Sequence, residues 1–168
     1  MFFLKFTSKI FMRLLFLYLI LTSSVFARIG ETQNQLNNRY DKSFPAGEEA
    51  VFSEGRLLKF GKVVVYQSDG WTITATFINN RCERIRYKKV GAWTDAQIYA
   101  VLKANSNGQT WTKSDPYNKH QKQWIGVGSS SAFWQSFSNM DMKTDAYYVA
   151  TERLKKDAVR KSKEVPNF

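Results

Sequence analysis

Residues 71–77 constrain the fold most, because they alternate strictly between apolar side chains and threonine. Successive side chains of a strand point to opposite faces of a sheet. The alternation therefore predicts an antiparallel strand with one buried face and one face toward water. Turn residues flank this strand, with Asp69-Gly70 before it and Asn79-Asn80 after it. The sequence therefore predicts a meander built around residues 71–77.

The strands expected on either side of residues 71–77 are also readable. Residues 63–66 are a β-branched run that ends in tyrosine, and residues 82–89 return after the Asn-Asn turn. In the second of these strands Ile85 and Tyr87 are expected to point inward, and the residues that alternate with them are expected to point outward. The outward row is basic and consists of Arg84, Arg86 and Lys88. Cations on an exposed strand usually block edge pairing, and they can also meet a polyanion.

Two capping boxes predict two helices. Thr32 is followed three residues later by Gln35, and Thr94 by Gln97, a spacing in which each side chain hydrogen-bonds the backbone of the other residue. The first helix is expected over residues 32–42, closed by the turn at 44–47, with residues 48–55 as a loop. The second is expected to end near residues 105–108. The two boxes are 62 residues apart.

The second half of the chain predicts further strands and a final helix. Short aromatic segments at residues 110–113, 123–127, 132–137 and 143–150 are separated by turn-forming residues. Residues 152–164 are polar and basic and predict a C-terminal helix. We therefore expect an α+β fold, in which one antiparallel sheet is built from two helix-plus-meander units and a C-terminal helix follows.

The N-terminus predicts export. The apolar run of residues 14–21 is preceded by three cations and followed by Val25-Phe26-Ala27. As a helix this run covers about 12 Å of a hydrocarbon layer about 30 Å thick, so it is too short to span well. We expect a signal peptide over residues 1–27, cleaved after Ala27, and a periplasmic or secreted protein with no stable membrane anchor. Residues 28–168 would form one domain, with sub-units 29–90 and 91–150.

Two stretches carry a resemblance to known proteins. Ile29-Gly30-Glu31-Thr32 leads into Leu36 and Tyr40, and residues 71–77 turn into residues 82–87. This layout resembles the small exported α+β domains of the SmpA/OmlA outer-membrane lipoprotein group and the tandem β-lactamase-inhibitor-protein fold. The resemblance implies units that each pair a helical segment with an antiparallel meander. The chain departs from the lipoprotein group because it has no cysteine at the cleavage point.

The sequence offers little to build a catalytic centre. Cys82 is the only cysteine and His120 the only histidine, so an intrachain disulfide and any site with two imidazoles are excluded. A hydrolase would need Cys82 and His120 as a dyad, or two close carboxylates. Residues 126–129 match neither a serine elbow nor a nucleotide loop. We expect neither a cofactor nor a metal.

Charge and aromatic content favour a binding function. The net charge is +11, and because residues 1–27 hold three cations and no acid, the processed chain would carry about +8. The main prediction is a non-enzymatic protein that binds another protein or a cell-envelope component through its sheet, with no nucleic-acid partner. One alternative is a basic, aromatic module for an anionic glycan or polymer, and a second is a small hydrolase. The candidate ligand-binding residues are Arg84, Arg86, Lys88, Trp111 and Trp134.

Overall fold

The computed structural model describes residues 28–40, 42–106, 108, 110–114, 121–126, 130–135 and 139–164. The predicted signal peptide and His120 lie outside these residues. The first half contains α1 (Gln33–Arg39), β1 (Lys42–Ser53), β2 (Arg56–Ser68), β3 (Trp71–Ile78) and β4 (Arg81–Lys89). The second half contains α2 (Asp95–Ala104), β5 (Thr112–Ser114), β6 (Gln121–Ile125), β7 (Ser131–Gln135), β8 (Asn139–Lys143) and α3 (Asp145–Glu164).

The strands form one eight-stranded sheet in the order β1-β2-β3-β4-β8-β7-β6-β5. Every pairing in it is antiparallel. Each half of the chain contributes a helix followed by a four-stranded meander, and the two meanders meet where β4 pairs with β8. The predicted α+β fold, with two helix-plus-meander units and a C-terminal helix, is confirmed.

Both predicted capping boxes are present. The Thr32 hydroxyl accepts from the backbone N–H of Gln35 at 3.3 Å, and the Gln35 side chain accepts from the N–H of Thr32 at 2.8 Å. Thr94 and Gln97 repeat the arrangement at 3.2 and 3.1 Å. These contacts satisfy N–H groups that a helix start otherwise leaves without partners.

Helices α1 and α2 cover one side of the sheet, which we call the helix face. Tyr40, which follows the last residue of α1, packs its ring 5.2 Å from that of Tyr66, and Asn37 of α1 accepts a hydrogen bond from the Tyr66 hydroxyl at 3.0 Å. From α2, Asn105, which follows the last helical residue, donates to the Tyr87 hydroxyl at 3.0 Å. The core lies between these helices and the sheet. Its helix residues include Leu36, Ile98, Val101 and Leu102.

The predicted alternation of β3 is confirmed, because Trp71, Ile73, Ala75 and Phe77 are all buried. Thr72 and Thr74 lie half-buried on the opposite side of the sheet, which we call the open face. Thr76 shares that face and is 1% exposed, because its hydroxyl donates to Glu49 at 3.0 Å and neighbouring groups cover it.

The predicted loop at residues 48–55 is wrong, because β1 continues to Ser53 and turns at Glu54-Gly55 into β2. The helix predicted over residues 32–42 ends earlier, at Arg39. Pro45 and Gly47 suggested a turn, yet both lie within β1. An edge strand bonds a neighbour on one side only, so it tolerates a proline and an irregular register. The register shifts between Pro45 and Glu49 absorb these residues.

The strand predicted at residues 143–150 is also wrong, because α3 begins at Asp145 and the last strand lies earlier in the chain. The Thr144 hydroxyl accepts from the N–H of Tyr147 at 3.3 Å and caps the helix. This cap outweighs the strand preference of the tyrosines that follow. The N-terminal part of α3 packs on the open face, where the Tyr147 ring lies 5.6 Å from that of Phe60. None of the helices in the described ranges could cross a membrane.

Candidate functional site

The open face is arranged as rows of directly paired residues. One row runs from Thr74 to its partners Arg86 on β4, Asp141 on β8 and Phe133 on β7. A second row places Lys88 between Thr72 and Asn139. Paired residues project from the same face about 5 Å apart, so these rows form a continuous, mostly polar surface.

Arg84 is the centre of an ionic network at one end of this face. Its guanidinium donates to both oxygens of Asp141, at 2.9 and 2.7 Å, and to Glu49 at 2.8 Å. It also donates to the Tyr147 hydroxyl at 3.2 Å, and its side chain is only 14% exposed. Burial disfavours the charged form, but the hydrogen bond and charge of Asp141, with the charge of Glu49, outweigh it and raise the pKa of Arg84. Arg84 therefore serves the structure and is not available to a ligand.

Arg86 and Lys88 remain accessible. The Arg86 side chain is 44% exposed and lies 3.6 Å from Asp141, while Lys88 is exposed and has no ion-pair partner among the described residues. Asp141 already contacts Arg84 and also Lys143, at 3.8 Å. One carboxylate is thus shared by three cations, which leaves this part of the open face positively charged.

The two candidate tryptophans lie away from these cations. Trp134 pairs with Met140, so it projects from the helix face, and Lys122 lies 5.3 Å from the centre of its ring. Trp111 donates its indole N–H to the carbonyl oxygen of Leu102 at 2.8 Å. Both rings are half-buried and pack against the core. The other three tryptophans, Trp71, Trp93 and Trp124, are buried. The structure therefore brings Arg84, Arg86 and Lys88 together but does not join them to Trp111 and Trp134.

A second candidate site is a cavity of about 420 Å³, which we call the junction cleft because both units line it. The first unit contributes Gly30, Arg81 and Glu83, and the second contributes Trp111 and Gly126. Sequence reasoning singled out only Trp111 of these residues. No local pattern joins the others, because they come from segments that are far apart in the sequence.

The junction cleft is held by contacts between its segments. The side-chain oxygen of Asn105 accepts from the N–H of Ile29 at 2.9 Å, and its amide nitrogen donates to the carbonyl oxygen of Val101 at 2.9 Å. Gly30 donates its N–H to the carbonyl oxygen of Cys82 at 2.8 Å, and its φ of +86° favours glycine. The walls of the cleft are therefore fixed by the backbone.

Among the described residues, the groups considered for hydrolysis do not form an activated nucleophile. Cys82 is free, fully buried, and donates its thiol to the carbonyl oxygen of Arg84 at 3.4 Å. Burial, with smaller effects of Glu83 and Glu31, raises the pKa of the Cys82 thiol, so the thiolate is disfavoured. Of the carboxylates, Glu49 and Asp141 bind Arg84. In the part of the chain that the structure describes, no three histidine, cysteine or acidic side chains cluster as metal ligands.

Comparison of the chain with protein-family models, with curated proteins and with solved structures finds no match. The functional proposals below therefore rest on the open face, on the junction cleft and on the sequence of the N-terminus.

Proposed function

We propose that the protein is an exported, non-enzymatic binding protein that docks an acidic surface of another protein on its open face. The export component rests on the N-terminal sequence, in which a short apolar run follows three cations and precedes a small-residue cleavage site. The binding component rests on the shape and charge of the sheet.

The basic row around Arg86 supports this proposal most directly. Arg86 lies between Thr74 and Asp141, and the neighbouring row presents Lys88. The sheet has eight strands, so it is about 34 Å wide at a strand spacing of about 4.8 Å. A polar surface of this width suits a protein partner, whereas small molecules usually occupy larger concave sites than the depression of about 220 Å³ beside Thr74 and Arg86.

The positive charge favours an acidic partner. Complementary charges at the edge of an interface mainly accelerate association and select the partner. Arg86 and Lys88 are exposed enough to act in this way, whereas Arg84 is already occupied by Asp141 and Glu49. The specific contacts would therefore come from β4 and the strands beside it.

The two candidate tryptophans do not give the glycan alternative an aromatic platform on the open face. Flat sugar rings stack on exposed aromatic side chains, much as bases do. All five tryptophans are buried or half-buried, and Trp111 and Trp134 are not on the face that carries Arg86 and Lys88. A polymer that binds by charge alone remains an outcome that the experiment below can detect.

The hydrolase alternative is also less well supported. The thiol of Cys82 is buried with a raised pKa, and Arg84 holds Glu49 and Asp141 in ion pairs. A nucleophile or a general base needs access to its substrate. These three groups are therefore better explained by packing and ionic stabilisation.

Charge removal on the open face tests the proposal. The double variant Arg86→Gln/Lys88→Gln and a control, Lys161→Gln/Lys163→Gln, lose the same charge; the control lysines lie at the exposed C-terminal end of α3. Each processed protein would be used to capture partners from an envelope extract of the organism that makes it. We expect the first variant to bind its protein partner about tenfold more weakly and the control to bind normally.

Two results would reject the proposal. If both variants lose the same affinity, net charge matters and the open face does not. If the captured material is a polymer whose binding falls steeply with salt and is insensitive to protease treatment, the anionic-polymer alternative replaces a protein partner.

A further inference from the structure

We propose that the junction cleft binds a small zwitterion, a molecule that carries both an ammonium group and a carboxylate. The inference rests on the charged groups that line the cleft and is independent of the open face. Free amino acids and short peptides share this chemistry, and the experiment below distinguishes them.

Glu83 is the first reason for the proposal. Glu83 lines the cleft and is only 9% exposed. The Thr144 hydroxyl donates to its carboxylate, but no cation of the described residues lies within ion-pair distance. A largely buried carboxylate whose partner is a single hydroxyl lacks a countercharge. An ammonium group that enters the cleft would supply the missing charge and further hydrogen bonds.

Arg81 supplies the complementary charge. Arg81 lines the same cleft, and its guanidinium makes no ion pair with Glu83 or with another carboxylate of the described residues. The guanidinium lies close to Gly30, where an added Cβ would approach it to 3.4 Å. Arginine is well suited to a ligand carboxylate because it can donate two parallel hydrogen bonds. One cavity thus offers an anion and a cation that are not paired with each other.

Trp111 provides an apolar wall with a fixed position. Its indole N–H is already bonded to Leu102, and an added Cβ on Gly126 would come within 3.0 Å of its ring. The ring therefore packs directly against the backbone of Gly126. An apolar wall together with a few placed charges is typical of sites for small ligands, and the volume of about 420 Å³ suits a small molecule.

The probes that test the proposal are leucine, the dipeptide Ala-Leu, butylamine and butyrate. They would be titrated into the full-length gene product, purified as the cell processes it, while nuclear magnetic resonance follows the indole N–H signal of Trp111. A Trp111→Phe variant assigns that signal. We expect a zwitterion to shift it saturably, and the singly charged butylamine and butyrate to bind at least about tenfold more weakly. Tighter binding of leucine or of Ala-Leu identifies the source as free amino acid or peptide.

Matched variants locate the two charges. Glu83→Gln and Arg81→Gln should each weaken binding of the zwitterion about tenfold or more, whereas the controls Glu48→Gln and Arg56→Gln, both in the β1-β2 hairpin, should not change it. Arg81 is exposed, so its variant is expected to fold even if Glu83→Gln does not. If no zwitterion shifts the Trp111 signal at millimolar concentration, or if the folded variants bind as tightly as the parent, the proposal is wrong.

Discussion

Arg84 and Asp141 form a bidentate ion pair across the boundary between the two units, with donor to acceptor distances of 2.9 and 2.7 Å. Arg84 belongs to β4 of the first unit and Asp141 to β8 of the second. The β4-β8 pairing joins the two meanders into one sheet. The ion pair therefore stabilises the junction on which the eight-stranded architecture depends.

Replacing Arg84 should destabilise the fold strongly. Arg84→Met leaves Glu49 and Asp141, each less than one fifth exposed, without their main cation. We expect the free energy of unfolding in urea to fall by about 2–4 kcal/mol, because these charges stay partly buried. Arg86→Met is the control and should cost less than about 1 kcal/mol, since Arg86 is exposed. Equal losses in both variants would show that the network does not stabilise the junction.

Replacing Gly126 by a larger residue should destabilise the fold as long as Trp111 is present. Gly126→Ala puts a Cβ at 3.0 Å from the indole ring, which forces a shift that we expect to cost about 1–3 kcal/mol in unfolding free energy. In a Trp111→Leu background the same change should cost less than about 0.5 kcal/mol, because the smaller side chain leaves room. Urea unfolding of the four proteins of this cycle gives the coupling. The same cost in both backgrounds would contradict the packing described for the cleft.

Stability should decrease at alkaline pH because buried groups resist deprotonation. Burial, followed by the charge of Cys82, raises the pKa of Tyr66 from 10.0 to about 12, and burial raises that of Cys82 above 9.0. The unfolded chain loses these protons first, so the stabilisation is complete below pH about 9 and is lost as pH rises through each folded-state pKa.

The variants Cys82→Ala and Tyr66→Phe separate the two contributions. In the parent protein, each group lowers the free energy of unfolding by at most about 1.4 kcal/mol for each unit of rising pH. Cys82→Ala should flatten the decline that begins near pH 9, and Tyr66→Phe the part between pH 10 and 12. Urea unfolding across this range measures the slopes. Parallel curves for parent and variants would mean that neither group is protected in the folded state.

We expect the mature protein to begin at Arg28, as the proposed export requires. Cleavage after Ala27 removes the apolar run together with its three cations. Intact-mass and N-terminal sequence measurements on the protein purified from the cell should find residues 28–168. A protein that retains residues 1–27 would contradict the export component of the proposed function.

Local signals in the sequence were sufficient for much of the fold. The capping pairs led by Thr32 and Thr94 act within one helical turn, so they can be recognised without tertiary information. The threonine alternation in β3 likewise reports directly which side chains point to the core. The two-unit layout follows from the order of these signals along the chain.

The two missed elements have different causes, a tertiary setting for β1 and a local cap for α3. Pro45 and Gly47 are unfavourable in most strands, but β1 lies at the edge of the sheet and absorbs them through register shifts. Tyr147 favours a strand, yet it lies in α3 because Thr144 caps that helix. A single sequence does not display the edge position of β1, whereas the cap at residues 144–147 is a local signal that the sequence analysis did not use.

The candidate sites were less predictable than the fold. Alternation along β4 placed Arg86 and Lys88 on one face, but it did not reveal that Arg84 forms ion pairs with Asp141 and Glu49. Those acids lie 57 and 35 residues from Arg84 in the chain. The junction cleft depends even more on topology, because Glu83 and Trp111 meet only after the two meanders have joined.

Site-specific photo-crosslinking tests the central claim, partner binding by the open face, most directly. A photoreactive amino acid would replace Thr74, which lies beside Arg86 on the open face, or Tyr99, which is exposed on α2 on the other side of the sheet. Illumination with the envelope extract should attach a protein partner to the Thr74 variant and not to the Tyr99 variant. Crosslinking through Tyr99 alone, or equally through both positions, would contradict the assignment of the open face as the binding surface.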